Sequence, residues 1–329
     1  MASTLTPRPH RRVRLPRPAR AATPETAPSA IVEDGGPRGS VIATEMLLLL
    51  MAVIWGVNFI VVKLGAALVG PLAFNSVRLA IAAALLLAFT KLTVRVPWPS
   101  RRETVALLGI GALGNGVYQV LFIEGLSRTQ PGTASLMLAS SPALIALVGR
   151  VFGVERVSRR GLLGIGASVA GVGLVMLGST GAGGASTAGA LAGNALCLAG
   201  AVCWAFFVVL LKPYTERLNS WQVLSTTMIG GAIPLLALGA PQIAAVHWTA
   251  LPATAYAALA YSCLLAMVVA YAIYYRGVRV IGPTRTSMFS NVQPFVALLA
   301  AWAFHYGMPT PVQLAGAVGI MAGVLLTRS

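Results

Sequence analysis

The chain has 329 residues, of which 57% are hydrophobic and only 10% are charged, and its formal net charge is +16. Ordinary soluble domains carry about a quarter charged residues, so this composition and a mean hydropathy of +0.80 exclude a cytosolic globular protein and indicate an integral membrane protein. The basic residues lie in the N-terminal tail and between long apolar runs, a distribution that argues against nucleic-acid binding.

The N-terminal tail, residues 1–43, is rich in Arg, Pro, Ala and Thr and has almost no large apolar residues. This composition is typical of a disordered segment. The tail could bind anionic lipid through its arginines, or it could be a solvated extension that keeps the N-terminus in the cytoplasm. The second interpretation is the simpler one.

Ten long apolar stretches follow the tail. A helix needs about 20 mostly apolar residues to cross the hydrocarbon core of a bilayer, and no segments of alternating polarity suggest a transmembrane β-barrel. The sequence therefore predicts an all-α integral membrane protein with ten transmembrane helices, numbered here as spans 1 to 10. They cover residues 45–64, 72–90, 104–126, 131–150, 161–178, 189–211, 221–239, 251–275, 283–304 and 311–327.

Lys and Arg are concentrated in alternate loops. They follow spans 2, 4, 6 and 8 and fill the N-terminal tail, whereas the opposite loops contain only Arg128, with Lys63 near one end of span 1. Because cytoplasmic loops carry an excess of Lys and Arg, both termini are predicted to be cytoplasmic. We expect a multi-pass protein of the cytoplasmic (plasma) membrane.

The second half of the chain repeats the first. From the end of span 3 to span 5 the match holds at an offset of 152 residues, which pairs Pro142 with Pro294, and Trp55 matches Trp204 at an offset of 149. Each half has five spans, an odd number, so the second half must enter the membrane in the opposite orientation. Transporters often have such inverted repeats, with the substrate near the midplane; the alternative is an old duplication kept only for packing.

This repeat predicts the organisation of the chain. The predicted parts are a disordered basic tail at residues 1–43, a first five-helix repeat at 44–178, a flexible linker at 179–188 and a second five-helix repeat at 189–329.

Several short motifs carry a resemblance to a known family. They are Trp55-Gly56-x-Asn58-Phe59 with Lys63, Arg78-Leu79-x-x-Ala82, Pro142 followed by Glu155, Gly164 and Gly171, and in the second half Pro294, Gly316 and Gly323. With them, the chain resembles the EamA family of the drug/metabolite transporter superfamily over residues 45–327. The resemblance implies a ten-helix carrier with a five-plus-five inverted repeat that exports small metabolites or drugs. One departure is Gly307, which stands opposite Glu155, where the family often has a second acidic residue.

No residue pattern indicates an enzyme, a metal site or a cofactor. Gly109-x-Gly111-x-x-Gly114 has the letters of a dinucleotide-binding motif, but it lies inside an apolar span rather than between a strand and a helix. Close packing of helices through small residues explains it better. The three cysteines lie in apolar runs without CxxC spacing and the three histidines are dispersed, so neither a disulfide framework nor a metal site is expected.

Small residues four apart occur at equivalent places in spans 5 and 10, as Ala167-x-x-x-Gly171 and Gly319-x-x-x-Gly323. Such pairs let helix backbones approach closely. Packing within one chain is the first interpretation and contact between two chains is the second, so a monomer or a weak homodimer is expected.

Pro142 and Pro294 lie near the middle of spans 4 and 9. Each removes a backbone N–H and frees the carbonyl four residues earlier, on Leu138 and Ser290. Because membrane helices tolerate proline only where neighbours or water satisfy such carbonyls, these positions predict hinges beside a water-accessible cavity, or else simple structural kinks.

Ionisable residues in the spans are candidates for function because they are costly in a bilayer. Lys63, Glu124, Lys212 and Arg276 lie near span ends, where their side chains can reach the membrane surface. Arg78 lies deeper and could either contact a substrate carboxylate or anchor span 2.

Polar, aromatic and sulfur-containing residues collect at mid-depth in the helices that the repeat pairs. A lining of tyrosine, tryptophan and amide groups suits neutral or zwitterionic organic solutes with an apolar part. The candidate substrate-binding residues are Trp55, Asn58, Tyr118, Gln119, Met137, Ser141, Trp204, Tyr271, Phe289, Asn291 and Gln293.

The sequence thus predicts a secondary transporter of small organic solutes, such as amino-acid-like or neutral amphipathic molecules. It would work by alternating access at a midplane cavity, and export is the expected direction. Its partners would be the solute and the lipid bilayer. Two alternatives remain: uptake or exchange of anionic or sugar-linked metabolites, which needs more basic residues than Arg78 in the cavity, and a membrane-embedded enzyme, which needs a His, Asp or Glu cluster.

Overall fold

A computed structural model describes residues 38–153, 157–178, 187–281, 286 and 289–328. Every regular element in these ranges is helical. The first seven helices are α1 (Arg38–Val69), α2 (Pro71–Thr93), α3 (Arg101–Gly111), the π-helix π1 (Ala112–Val117), α4 (Tyr118–Arg128), α5 (Pro131–Leu138) and α6 (Ser141–Val151). Then follow α7 (Arg159–Gly178), α8 (Thr187–Thr215), α9 (Ser220–Ala245), α10 (Ala253–Ala260), the π-helix π2 (Tyr261–Val269), α11 (Ala270–Ile281), α12 (Gln293–Ala303) and α13 (Pro311–Arg328), with short 3₁₀ turns at Trp248–Ala250 and Ser290–Val292.

Eight helical segments within the described ranges are long and apolar enough to cross a membrane. They coincide with predicted spans 1 to 8, and Pro311–Leu326 adds a shorter apolar helix at span 10. Span 9 is described only in part, and most of the tail, the segment 179–186 and Glu155 lie outside the described residues. The protein is therefore an all-helical, multi-pass membrane protein, and ten spans in two repeats stay a prediction.

Two of the spanning segments change their winding midway. α3 passes through π1 into α4, and α10 passes through π2 into α11. An offset of 152 residues relates Ala112–Val117 to positions 264–269, which lie inside π2. These π-helices have no distinctive composition and are not predictable from the sequence; such windings often occur at functional sites.

The helix of span 4 is interrupted where Pro142 was expected to disturb it. α5 ends at Leu138, a turn covers Ala139 and Ser140, and α6 starts with Pro142 in its first turn. The hydroxyl of Ser141 donates a hydrogen bond of 2.6 Å to the carbonyl oxygen of Leu138, which the missing N–H of Pro142 would otherwise leave without a partner. Pro294 likewise lies in the first turn of α12, after the 3₁₀ turn.

The glycine stripes of α7 and α13 pack against each other inside the chain. A Cβ atom at Gly171 would lie 2.6 Å from the carbonyl oxygen of Gly316, and one at Gly323 would press against the backbone of Gly164. The repeat offset of 152 residues relates the two contacts, because Gly171 corresponds to Gly323 and Gly164 corresponds to Gly316. The small residues thus serve packing within one chain.

The Gly109-x-Gly111-x-x-Gly114 motif also serves helix packing. A Cβ atom at Gly111 would overlap the backbone of Thr227 in α9, and one at Gly114 would overlap the ring of Phe207 in α8. A Cβ atom at Gly109 would meet no atom within 4 Å. Two of the three glycines are therefore required by close contacts between helices.

The position of Lys63 near a span end suggested that its side chain reaches the membrane surface. Instead, it contacts the end of another helix. Its Nζ donates hydrogen bonds to the carbonyl oxygens of Leu126 (2.8 Å), Ser127 (2.9 Å) and Thr129 (2.6 Å). The last carbonyls of a helix have no partner within the helix, and a cation at this end also interacts favourably with the helix dipole. Lys63 of α1 therefore caps α4.

Candidate functional site

Two aromatic pairs join the two halves of the chain. The indole of Trp55 in α1 lies edge-on to the ring of Tyr271 in α11, with centroids 5.3 Å apart. Tyr118 in α4 lies 5.2 Å from Trp204 in α8. Each pair contains one of the two tryptophans that the repeat relates, and each tryptophan packs on a tyrosine from the opposite half.

Further contacts hold Trp55 in place. Its Nε1 donates a hydrogen bond of 2.8 Å to the carbonyl oxygen of Ala266 in π2, and its ring lies 5.8 Å from that of Tyr274. Phe289 packs against the same apolar cluster. π2 thus provides a backbone acceptor for a side chain that the sequence analysis selected.

Arg78 is fully buried in α2, with 1% of its surface exposed. Its Nε donates a hydrogen bond of 2.7 Å to Oδ1 of Asn75, and its Nη2 donates one of 2.9 Å to Oε1 of Gln119. Asn75 in turn donates from Nδ2 to the backbone carbonyl of Gln119, at 2.8 Å. Nη1 of Arg78 is buried and has no hydrogen-bond partner in the part of the chain that the structure describes.

The guanidinium of Arg78 lies beside the stacked rings of two aromatic residues of α4. Its Cζ is 5.9 Å from the centroid of the Phe122 ring, a distance suitable for a cation–π interaction. Phe122 stacks on Tyr118 with centroids 6.0 Å apart.

Asn58 forms a polar contact of its own. Its Oδ1 accepts a hydrogen bond of 2.8 Å from the hydroxyl of Ser262 in π2. Sequence reasoning missed Ser262, since a lone serine in an apolar run carries no signal. It also missed Asn75, although the spacing of three residues from Arg78 places both on one helix face.

The remaining candidates differ in their surroundings. Met137 is completely buried in the apolar cluster that also contains Phe122, whereas the hydroxyl of Ser141 donates to the carbonyl oxygen of Leu138 at the break between α5 and α6. Asn291, in the 3₁₀ turn, and Gln293, the first residue of α12, are partly exposed. Of these two, Gln293 lies beside α1, because a Cβ atom at Gly56 would be 3.0 Å from its carbonyl oxygen.

Two hollows occur at the end of α12, and neither is lined by a candidate residue. One is lined by Trp302, Ala303, His305, Gly307 and Met308, and the other includes Gln130, Thr133 and Gln313. Within the described ranges, no three His, Cys, Asp or Glu side chains lie close enough together to hold a metal ion.

The EamA-like transporter family model matches the chain twice, at residues 42–177 and 191–329. The chain belongs to this family. The two matches divide the chain near the predicted linker, so each half by itself carries the sequence pattern of the family.

Curated relatives of this EamA-type chain are transporters. The uncharacterized inner membrane transporter YedA of Escherichia coli (strain K12) is 31% identical over 256 residues, which cover 75% of this chain and 78% of YedA. The probable amino-acid metabolite efflux pump of Salmonella typhimurium is 30% identical, with coverage of 85% and 93%. The probable terminal-alkyne amino-acid exporter of Streptantibioticus cattleyicolor is 29% identical, with coverage of 85% and 91%.

A solved crystal structure has the same fold. It aligns with a TM-score of 0.55 at 18% identity and covers 88% of this EamA-type chain and 96% of its own.

Proposed function

We propose that this chain is an exporter of small organic solutes of the size and polarity of amino acids, and that it moves them unchanged across the plasma membrane. The observation that carries the proposal is the arrangement of two aromatic pairs around polar groups, in a chain of the EamA-like transporter family. Aromatic walls with few polar groups suit organic solutes. Two relatives bear the names of an amino-acid exporter and an amino-acid metabolite efflux pump.

The proposed architecture is ten spans in two inverted repeats, 44–178 and 189–329. Three observations support it: the family model matches each half, the glycine contacts between α7 and α13 are reciprocal at an offset of 152 residues, and π-helices interrupt equivalent spans. Because both small-residue stripes are used within the chain, we also propose a monomer, which light scattering of the purified protein tests.

The proposed orientation has both termini in the cytoplasm, on the strength of the Lys and Arg distribution. Single cysteines introduced into a cysteine-free variant test it. An impermeant maleimide added to intact cells should label positions in 179–188 and leave the loops 91–103 and 151–160 unlabelled. Labelling of those two loops in intact cells would contradict the orientation.

A difference between the two halves supports alternating access. Lys63 caps the end of α4, whereas its repeat counterpart Lys212 is exposed and makes no side-chain hydrogen bond with the described residues. At the repeat offset of 152 residues, the three carbonyls that Lys63 binds correspond to those of positions 278, 279 and 281, at the end of α11. Inverted repeats exchange conformations when access switches, so in the opposite state Lys212 caps α11 and Lys63 is released.

Export is tested in a bacterial host that overproduces the chain. Cells preloaded with labelled L-phenylalanine, L-leucine or L-threonine should lose at least one of them faster than cells carrying the empty vector, and the purified chain should catalyse counterflow of that solute in proteoliposomes. As a control, Pro142→Ala should reach normal abundance and slow the movement of the same solute. No difference for any solute in either assay would refute the proposal.

A further inference from the structure

One nitrogen of Arg78, Nη1, makes no hydrogen bond with any residue that the structure describes. Asn75 and Gln119 accept hydrogen bonds from Nε and Nη2 and thereby fix the orientation of the guanidinium, and no described residue offers an acceptor to Nη1. A buried donor without a partner carries the full cost of its desolvation. Native proteins have few such groups, and each calls for a specific explanation.

The positive charge of Arg78 is also unbalanced. The ion pairs among the described residues join Arg128 to Glu124 and Arg217 to Glu103, and neither involves Arg78. Buried charges are normally paired, and an uncompensated one is strongly destabilising. A residue that only anchored α2 would be better served by a neutral amide, which could make the same two hydrogen bonds.

A second buried polar atom without a partner occurs nearby in the sequence. Oδ1 of Asn115 in π1 accepts no hydrogen bond from the described residues, and Asn115 is 1% exposed. It lies four residues before Gln119, the residue that holds Arg78. These two atoms are the buried side-chain groups without a partner within the described ranges; the backbone of Asn115 packs against Gly231 of α9.

We propose that Nη1 of Arg78 binds the carboxylate of the transported solute, so that the substrates are small carboxylic acids, including amino acids, with an apolar part. This inference rests on the proposed transport function and adds the substrate class. A carboxylate supplies both the missing acceptor and the missing negative charge, and charge-assisted hydrogen bonds are about twice as strong as neutral ones. Phe122 lies beside the guanidinium, Tyr118 stacks on Phe122, and these rings accommodate the apolar part.

In this structure the helices are closed around Arg78. With 1% of its surface exposed, the guanidinium is reached by solute only when the surrounding helices separate. Alternating access requires such a separation on each side in turn. The unpaired nitrogen is then exposed to solute and costs nothing, and the site closes again around a carboxylate that neutralises it.

The experiment compares acids with their amides in proteoliposomes that contain the full chain. The labelled probes are L-phenylalanine, L-leucine, L-phenylalaninamide and L-leucinamide. At least one acid should show counterflow, and its amide should be transported at least tenfold more slowly. This comparison uses the unaltered protein and does not depend on the folding of a variant.

Variants of Arg78 connect this preference to the side chain. Arg78→Gln should remove the preference for acid over amide, and Arg78→Lys, which keeps the charge, should retain part of it. Arg128→Gln removes an equal charge from the exposed end of α4 and should keep the full preference.

The outcomes separate the two proposals. Equal counterflow of acid and amide, or an undiminished acid preference in Arg78→Gln at normal abundance, would overturn the role of Arg78 and leave the transport function standing. No counterflow of any of the four probes would contradict both.

Discussion

The contact between α7 and α13 makes a quantitative prediction about Gly171. A Cβ atom there would lie 2.6 Å from both the carbonyl oxygen of Gly316 and the backbone nitrogen of Ile320. Neither is the end of a flexible side chain, so Gly171→Ala must push the two helix backbones apart. Gly173, on the same helix, has no atom within 4 Å of its Cβ position, and Gly173→Ala is therefore the matched control.

Gly171→Ala and Gly173→Ala both gain helix stability, but only Gly171→Ala creates a steric clash. Replacing Gly by Ala inside a helix stabilises it by about 0.5–1 kcal/mol, and this gain applies to both. Gly171→Ala also suffers overpacking, typically about 1–3 kcal/mol, and the upper part of that range is expected because backbone atoms are in the way. The unfolding entropy is about 2.1 cal/mol/K per residue, so in a chain of 329 residues 1 kcal/mol shifts Tm by about 1.5 °C, which gives a difference of about 3–4 °C.

Thermal unfolding of the purified protein in detergent, followed by tryptophan fluorescence, measures this difference. Gly171→Ala should unfold at a lower temperature than the parent, and Gly173→Ala at the same or a slightly higher temperature. Gly323→Ala is the repeat counterpart and should lower Tm to a similar extent, because its Cβ would press against the backbone of the opposite helix. Equal Tm values for Gly171→Ala and Gly173→Ala would refute the proposed close contact.

Lys63→Met should lower Tm because it removes three hydrogen bonds from an ammonium to backbone carbonyls. Hydrogen bonds to charged groups contribute about 1.5–3 kcal/mol each. Lys212→Met at the exposed counterpart is the control, and equal Tm values for the two variants would count against the cap. Ser141→Ala should lower the free energy of unfolding by about 1–3 kcal/mol, since it leaves the Leu138 carbonyl without a partner. The loss should be smaller in a Pro142→Ala background, where the restored N–H can bind that carbonyl. Additive effects of the two substitutions in thermal unfolding would contradict this. Trp55→Phe removes the hydrogen bond to π2 but keeps an aromatic ring, so it should slow counterflow more than it reduces abundance, and unchanged counterflow would show that this bond only supports packing.

The sequence was sufficient to predict the class of protein and the positions of the spans. Whether a segment of about 20 residues enters a bilayer depends on its own composition, so the apolar stretches predict the eight described spanning segments without any knowledge of their neighbours. Proline acts locally as well, because the N–H it lacks and the clash of its ring concern the preceding turn of the same helix. The break before Pro142 could be predicted for that reason.

Only the tertiary structure decided which residues meet. In a membrane protein the outer face of a helix is as apolar as the inner one, because it contacts lipid, so the sequence does not indicate which side faces a neighbouring helix. The sequence left Arg78 between a substrate contact and an anchor, and its bonds to Asn75 and Gln119 with a free Nη1 depend on how α2 packs against α4. The cap that Lys63 forms on α4 depends in the same way on a helix more than sixty residues away.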